Sequence, residues 1–198
     1  MSTVIEDPHD RRGDSATVLL EGFHSLETPE GFRAELIEGE ILVTPPPTGN
    51  HENNVSSVIR QVLRRSSTTV SFSGNKGLVL RRGGACPENH LIPDGVFVPQ
   101  GAFRDEPPWM PVDPVVMVLE VTGSHPDRDR ELKRRCYARG AVPLYLLLDR
   151  ETRTTTLFGA PGPRTDSTDY TREVRVPFGT PLDLPEPFGL TLETAEFV

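Results

Sequence analysis

Val115-Val116-Met117-Val118-Leu119-Glu120-Val121 is an apolar run interrupted once, by a glutamate. A short run of this kind, rich in β-branched residues and bounded by proline and glycine, reads as a buried strand. Burying a carboxylate there without a partner costs on the order of several kcal/mol, so Glu120 needs a cation, a donor or a proton beside it. Upstream, Pro93-Asp94-Gly95-Val96-Phe97-Val98 sets an aspartate at the head of a second apolar run. Downstream lies a basic stretch, Asp129-Arg130-Glu131-Leu132-Lys133-Arg134-Arg135-Cys136-Tyr137. Two strand carboxylates with a lysine on the next helix suit metal-assisted hydrolysis of a phosphodiester.

The neighbouring elements follow from pattern. Arg33–Ile37 and Glu40–Thr44 flank Glu38-Gly39, a hairpin signal that Pro45-Pro46-Pro47 closes. Thr48 or Asn50 could cap the next helix, whose apolar positions Val55, Val58, Ile59, Val62 and Leu63 recur at helical spacing. Strands are expected at 69–73 and 77–82, then a loop over 83–89 before the Asp94 strand. A proline-rich loop, 99–114, precedes the Glu120 strand. Pro126 suits a first helical turn and Gly140 a helix end, so 126–139 is expected to be one helix. Leu144–Asp149 reads as a buried strand paired with Thr154–Phe158, with shorter strands near 173–176 and 190–193. Residues 1–16, polar and aperiodic, read as a loose, disordered tail, and 17–198 as one domain with its core over about 20–160. The expected class is α/β (α+β): a mixed β-sheet flanked by helices, with an N-terminal β-hairpin.

A chain of 198 residues can bury a real core. Cys86 and Cys136 are too few for a disulfide framework, the start lacks a basic-then-apolar leader, and no run approaches the ~18–20 apolar residues of a membrane span. These features point to a reducing cytoplasm and no membrane partner. The net charge of −8 argues against a protein that coats nucleic acid through bulk charge. It is compatible with an acidic metal site beside a local basic face. From Pro126 to Arg139 six basic residues stand against three acidic ones, although such a run is commonly just a solvated helix face. Of 21 lysines and arginines only Lys76 and Lys133 are lysines, which singles out Lys133.

Asp94 and Glu120 lie 26 residues apart, so only the fold can unite them. Adjacent strands would do so, and two close carboxylates repel unless a divalent cation sits between them. Magnesium suits such a place, taking one or two carboxylates, waters and a substrate phosphate. Plainer readings stand beside these. Glu35 reads equally well as an exposed hairpin residue, His51 as a helix cap, and Asp149 as an ordinary strand-end acid before a turn. Tyr137 and Cys136 read as packing residues. Cys86 and His90 lack a second pair of zinc ligands, and no glycine-rich cradle supports a small phosphate ligand.

Ala34-Glu35-Leu36-Ile37-Glu38-Gly39, His51, Pro93-Asp94, Leu119-Glu120-Val121-Thr122, Asp129…Lys133…Tyr137, Gly140 and Tyr145-Leu146-Leu147-Leu148-Asp149 occur in this order. Together, over about residues 20–160, they resemble the Uma-two family, restriction-endonuclease-like proteins of the PD-(D/E)XK nuclease superfamily. The resemblance implies a restriction-endonuclease-like core and a magnesium-dependent DNA endonuclease, with manganese as an alternative ion. It implies Asp94 and Glu120 as metal ligands, the backbone carbonyl of Val121 as a third, and Glu35 completing the acidic set. The superfamily's lysine falls two residues after the glutamate, where this chain has Thr122, so Lys133 reads as its migrated replacement. That requires the helix to aim Lys133 over the sheet end, and Asp129, Lys133 and Tyr137 do share one helix face. Double-stranded DNA is the implied substrate, and a homodimer would suit cleavage of both strands. The alternative is a catalytically inactive nuclease fold that serves as a nucleic-acid-binding or protein-interaction module.

Overall fold

The computed structural model describes residues 8–83, 86–163, 165 and 167–198. It begins with helix α1, Pro8–His24. The tail expected over 1–16 is therefore corrected from Pro8 onward, while residues 1–7 lie outside the described residues. Leu19, Leu20 and Phe23 pack with Leu36, Ala34, Ile41 and Trp109, so tertiary contact stabilises a helix whose first half has no apolar period.

Strands β1 (Arg33–Ile37) and β2 (Glu40–Thr44) form the expected hairpin, with Ile37 opposite Glu40. Glu38 (φ 51°) and Gly39 (φ 87°) both take left-handed backbone, as a two-residue hairpin turn of this twist demands. Asn89 steadies the turn, accepting the Glu38 N–H at 2.7 Å and donating to Glu38 Oε1 at 2.9 Å. Helix α2 (Gly49–Arg65) is capped by Thr48, not Asn50, through Thr48 Oγ1 and the His51 N–H at 3.5 Å. Its face of Val55, Val58 and Val62 is buried, whereas Leu63 is 52% exposed.

Next come β3 (Val70–Ser73), β4 (Gly77–Gly83), β5 (Cys86–Leu91), β6 (Gly95–Pro99), β7 (Trp109–Pro111) and β8 (Met117–Val121). β5 occupies the expected loop over 83–89. Pairing with β4 on one side and β1 on the other overrides its weak strand propensity. Residues 126–139 form one helix, as expected, but its Arg128–Lys133 turn is π-helical before α3, Arg134–Arg139. Tyr145 Oη donates to the Asp129 carbonyl at 2.9 Å within that widened turn, satisfying an acceptor the irregular ladder leaves available. At the helix end Ala141 (φ 59°), not Gly140, takes the left-handed backbone. The chain continues with β9 (Leu144–Asp149), β10 (Thr154–Pro161), β11 (Tyr170–Pro177), β12 (Leu182–Leu184) and β13 (Leu190–Leu192).

The class is mixed α+β, with two main sheets where one was expected. The first runs β2-β1-β5-β4-β7 and the second β11-β10-β9-β8-β6-β3; β12 and β13 form a small pair. β8 lies inside the second sheet, parallel to β9 and antiparallel to β6. Alternation along β8 and β9 gives each sheet face its own core. Met117, Leu119, Val121, Leu146 and Leu148 join α2 and the C-terminal strands, a core that reaches Phe197 and so extends past the expected 160. Val118, Tyr145 and Leu147 instead face Ile37, Leu78, Leu80 and Tyr137 between the two sheets. Glu120 shares the face of Val118, and Glu35 that of Ile37, so both acids look into the layer between the sheets. Among the described residues no helix is long and apolar enough to cross a membrane.

Candidate metal-hydrolase site

Glu120 is 2% exposed, and its answering cation is Lys133. Lys133 Nζ lies 3.0 Å from Glu120 Oε1, 3.2 Å from Glu35 Oε2 and 3.7 Å from Asp129 Oδ1. Tyr137 Oη also donates to Glu120 Oε1. The face shared by Asp129, Lys133 and Tyr137 thus closes over the end of β8, and the π turn does not break the convergence. Tyr137 does pack, its ring 5.2 Å from that of Tyr145, and its hydroxyl adds the bond to Glu120.

Asp94 lies immediately before β6, and Gly95 opposite Leu119 brings it alongside Glu120. A side chain at 95 would meet Phe72 Cε2 at 2.9 Å and Leu119 Cβ at 3.1 Å, so glycine permits this close approach. Asp94 Oδ2 accepts the Val121 N–H at 2.8 Å and faces His51 Nε2 at 3.0 Å. The His51 N–H joins the cap expected of it, yet its ring reaches the aspartate. No sequence signal separates those two uses of a helix-start histidine. Glu35 Oε1 accepts the Ile92 N–H at 2.8 Å, leaving its other oxygen to Lys133. Glu35 is therefore buried, not an exposed hairpin residue.

Four carboxylates share this space with one ammonium and one imidazole. Burial pushes Glu120 well above the usual carboxylate range; Lys133 opposes the shift, and the charges of Asp94, Asp129 and Glu35 add to it. Asp129 is pushed up to about 7, again mainly by burial, with Lys133 opposing and Asp94 and Glu35 adding. Asp94 goes the other way: against the cost of burial, the His51 hydrogen bond and charge, Lys133 and the Val121 N–H hold it low. Burial would depress Lys133, but the surrounding carboxylates raise it well above its ordinary value. His51 is likewise raised, burial being outweighed by Asp94 and then Glu52. Four carboxyl groups face two cationic groups, and the cost of ionising all four shows in the raised Glu120 and Asp129.

The donors here are hard oxygens, the kind magnesium takes, and a divalent ion would relieve the repulsion that raises Glu120 and Asp129. Among the described residues no three or more His, Cys, Asp or Glu side chains are gathered so that they could hold an ion by themselves. With Glu35 turned to Lys133 and the Ile92 N–H, the residues suit the two-carboxylate form of the expected site better than the three-carboxylate form. Thr122, at the superfamily's lysine position, is buried and accepts the Arg150 N–H at 2.8 Å, so it ties β8 to the end of β9.

Other candidates lie elsewhere. Asp149 is gripped by Arg130 through Nε at 2.8 Å and Nη2 at 2.9 Å. Cys136 lies against Glu38 and Arg139, its thiol pushed up to about 12 chiefly by burial, which makes it inert. The Cys86 side chain lies outside the described residues, and His90 is packed among aromatic rings.

The model of the family described as "Uma2: Putative restriction endonuclease" matches residues 20–195. The chain belongs to the Uma2 family. A similar solved structure is the crystal structure of a putative nuclease belonging to DUF820 from Anabaena variabilis ATCC 29413. It is 17% identical to this Uma2 chain, with a TM-score of 0.64 over 90% of this chain and 96% of that one. At that identity the likeness shows the fold alone. No curated protein matches the chain.

Proposed function

We propose that this Uma2 protein is a divalent-metal-dependent DNA endonuclease with its site at Asp94, Glu120, Lys133 and Glu35. The observation that carries the reading is the Lys133 ammonium, 3.0 Å from Glu120 and 3.2 Å from Glu35, inside a cluster of four carboxyl groups. Asp94 and Glu120, with the backbone carbonyl of Val121, would hold magnesium or manganese. A bound ion would offset charge on the scissile phosphate and acidify a water. The protein's own groups do the rest. His51 and the Val121 N–H pin one Asp94 oxygen, Tyr137 and Lys133 fix one Glu120 oxygen, and Lys133 places a positive charge where phosphate charge builds up. Double-stranded DNA is the proposed substrate.

Incubation with supercoiled plasmid tests this reading. The protein should nick or linearise DNA with magnesium or manganese and not with chelator, and Asp94→Ala and Glu120→Ala should each abolish cleavage. A second reading draws on the same lysine: an ammonium already shared by three carboxylates also suits a structural ion cluster in a non-cleaving scaffold. Calorimetric titration with magnesium separates them, since a catalytic site binds the ion in an Asp94- and Glu120-dependent way.

A further inference from the structure

Among the described residues the second sheet ends on β11, which pairs with β10 and no other strand. Alternate N–H and C=O groups of an edge strand point away from the sheet, a template for another strand. The other ends of the two main sheets are guarded by brevity: β2, β7 and β3 have five, three and four residues. β11 has eight, most with exposed side chains, Val174 among them at 39%.

Its sequence, Tyr170-Thr171-Arg172-Glu173-Val174-Arg175-Val176-Pro177, selects its own partner. When two copies of a strand pair antiparallel about a two-fold axis, one residue meets its own counterpart on the axis. An axis at 172 or 175 sets arginine against arginine, and one at 173 sets glutamate against glutamate. An axis at 171 or 176 leaves a shorter overlap. An axis at Val174 sets Val174 against Val174, Glu173 against Arg175, and Arg175 against Glu173. Directly opposed unlike charges stabilise a strand pair and like charges destabilise it. Glu173 and Arg175 already share a face, with Arg175 Nη2 3.4 Å from Glu173 Oε1 and Arg175 Nε donating to Thr156 Oγ1 at 3.2 Å. The alternating charges that blunt this edge toward most strands leave one matching occupant.

We propose that β11 pairs antiparallel with β11 of a second copy, centred on Val174, joining the two six-stranded sheets across a two-fold axis. The pairing rests on edge geometry and charge order and does not depend on the nuclease reading. A contact made chiefly of one strand pair is small, so the dimer forms in a concentration-dependent way.

Sedimentation velocity of the full chain, across a micromolar to near-millimolar series, reads this out. The wild-type chain should pass from monomer to dimer. Glu173→Arg and Arg175→Glu each oppose like charges twice and should weaken the dimer by roughly tenfold or more. The double variant Glu173→Arg/Arg175→Glu rebuilds both unlike pairs and should restore it. Circular dichroism confirms that each variant folds. Independently, Val174→Cys should form a self-crosslink on mild oxidation where Thr171→Cys does not. A wild-type chain that stays monomeric throughout, or a dimer untouched by the single reversals, overturns the proposal.

Discussion

Lys133 Nζ stands 3.0 Å from Glu120 Oε1, an ion pair closed between a helix and the strand before it. Both partners are almost fully buried, and the same ammonium serves Glu35 and Asp129. Removing the lysine therefore strands several carboxylates at once. Lys133→Met should destabilise the fold by about 3–5 kcal/mol at neutral pH, the range for breaking a buried pair from one side. The loss should shrink as pH falls and the carboxyls take up protons. Urea unfolding at pH 5 and pH 8 checks this: an equal loss at both would show that the carboxylates are not the source. Adding Glu120→Gln to the variant should recover part of the loss, because the two changes share one interaction.

Asp129 should leave its own mark on the pH dependence. Its carboxyl is pushed up to about 7 from an ordinary value of 3.8. Between those values the folded chain holds the proton more firmly than the unfolded chain does, so this group makes stability fall as pH rises from about 4 to 7. Above that window the penalty is fully present. Asp129→Asn should therefore raise stability at pH 8 by on the order of 1–3 kcal/mol and change little near pH 4. Thermal melts at the two pH values decide it, and a variant less stable at pH 8 would mean that its contact with Lys133 outweighs its burial cost.

His51 should act on metal affinity through Asp94. Its Nε2 lies 3.0 Å from Asp94 Oδ2, and the Val121 N–H takes the same oxygen, so one carboxylate oxygen is oriented by the protein. Partners that orient ligands typically contribute roughly 10–100-fold in affinity. His51→Ala should weaken magnesium binding by that factor, and His51→Gln, which keeps a donor, should recover part of it. Unchanged calorimetric affinity in His51→Ala would assign the histidine to helix capping alone.

Much of this site was legible in the sequence, and the gaps have physical causes. The hairpin, α2, β8 and the helix over 126–139 show clean periodicity and turn chemistry, so the order of Glu35, Asp94, Glu120 and Lys133 along the elements could be read. That Lys133 meets Glu120 and Glu35 together depends on how the helix crosses the sheet end, which periodicity does not encode. Pro87, Glu88 and Asn89 disfavour a strand locally, so β5 exists only because two neighbouring strands pair with it. The sheet split follows from that same strand. α1 leaves little trace in the sequence because only its last turns carry apolar residues, and they need Leu36 and Trp109 to bury them. The π turn leaves no trace in spacing, since Asp129, Lys133 and Tyr137 converge despite it.

His90, whose Nε2 lies 3.7 Å from Glu88 Oε2, supplies an opposite pH signature. It is 2% exposed, with ring centroids 5.3 Å from Phe23, 5.1 Å from His24 and 5.0 Å from Trp109. Burial, and secondarily the charge of His24, lowers it to about 4 from 6.5. Between those values the unfolded chain binds the extra proton, so this residue makes stability fall as pH drops from about 6.5 to 4. Asp129 pulls the other way over much of the same range, so the wild-type profile shows only their difference. Each group has to be read from its own variant. His90→Gln should flatten the acid side, holding on the order of 1–3 kcal/mol more of its neutral-pH stability at pH 4 than the wild type does. Because His90 packs between α1 and the first sheet, the wild-type loss should be accompanied by earlier protease cleavage within α1. Parallel profiles for variant and wild type would place the acid sensitivity elsewhere.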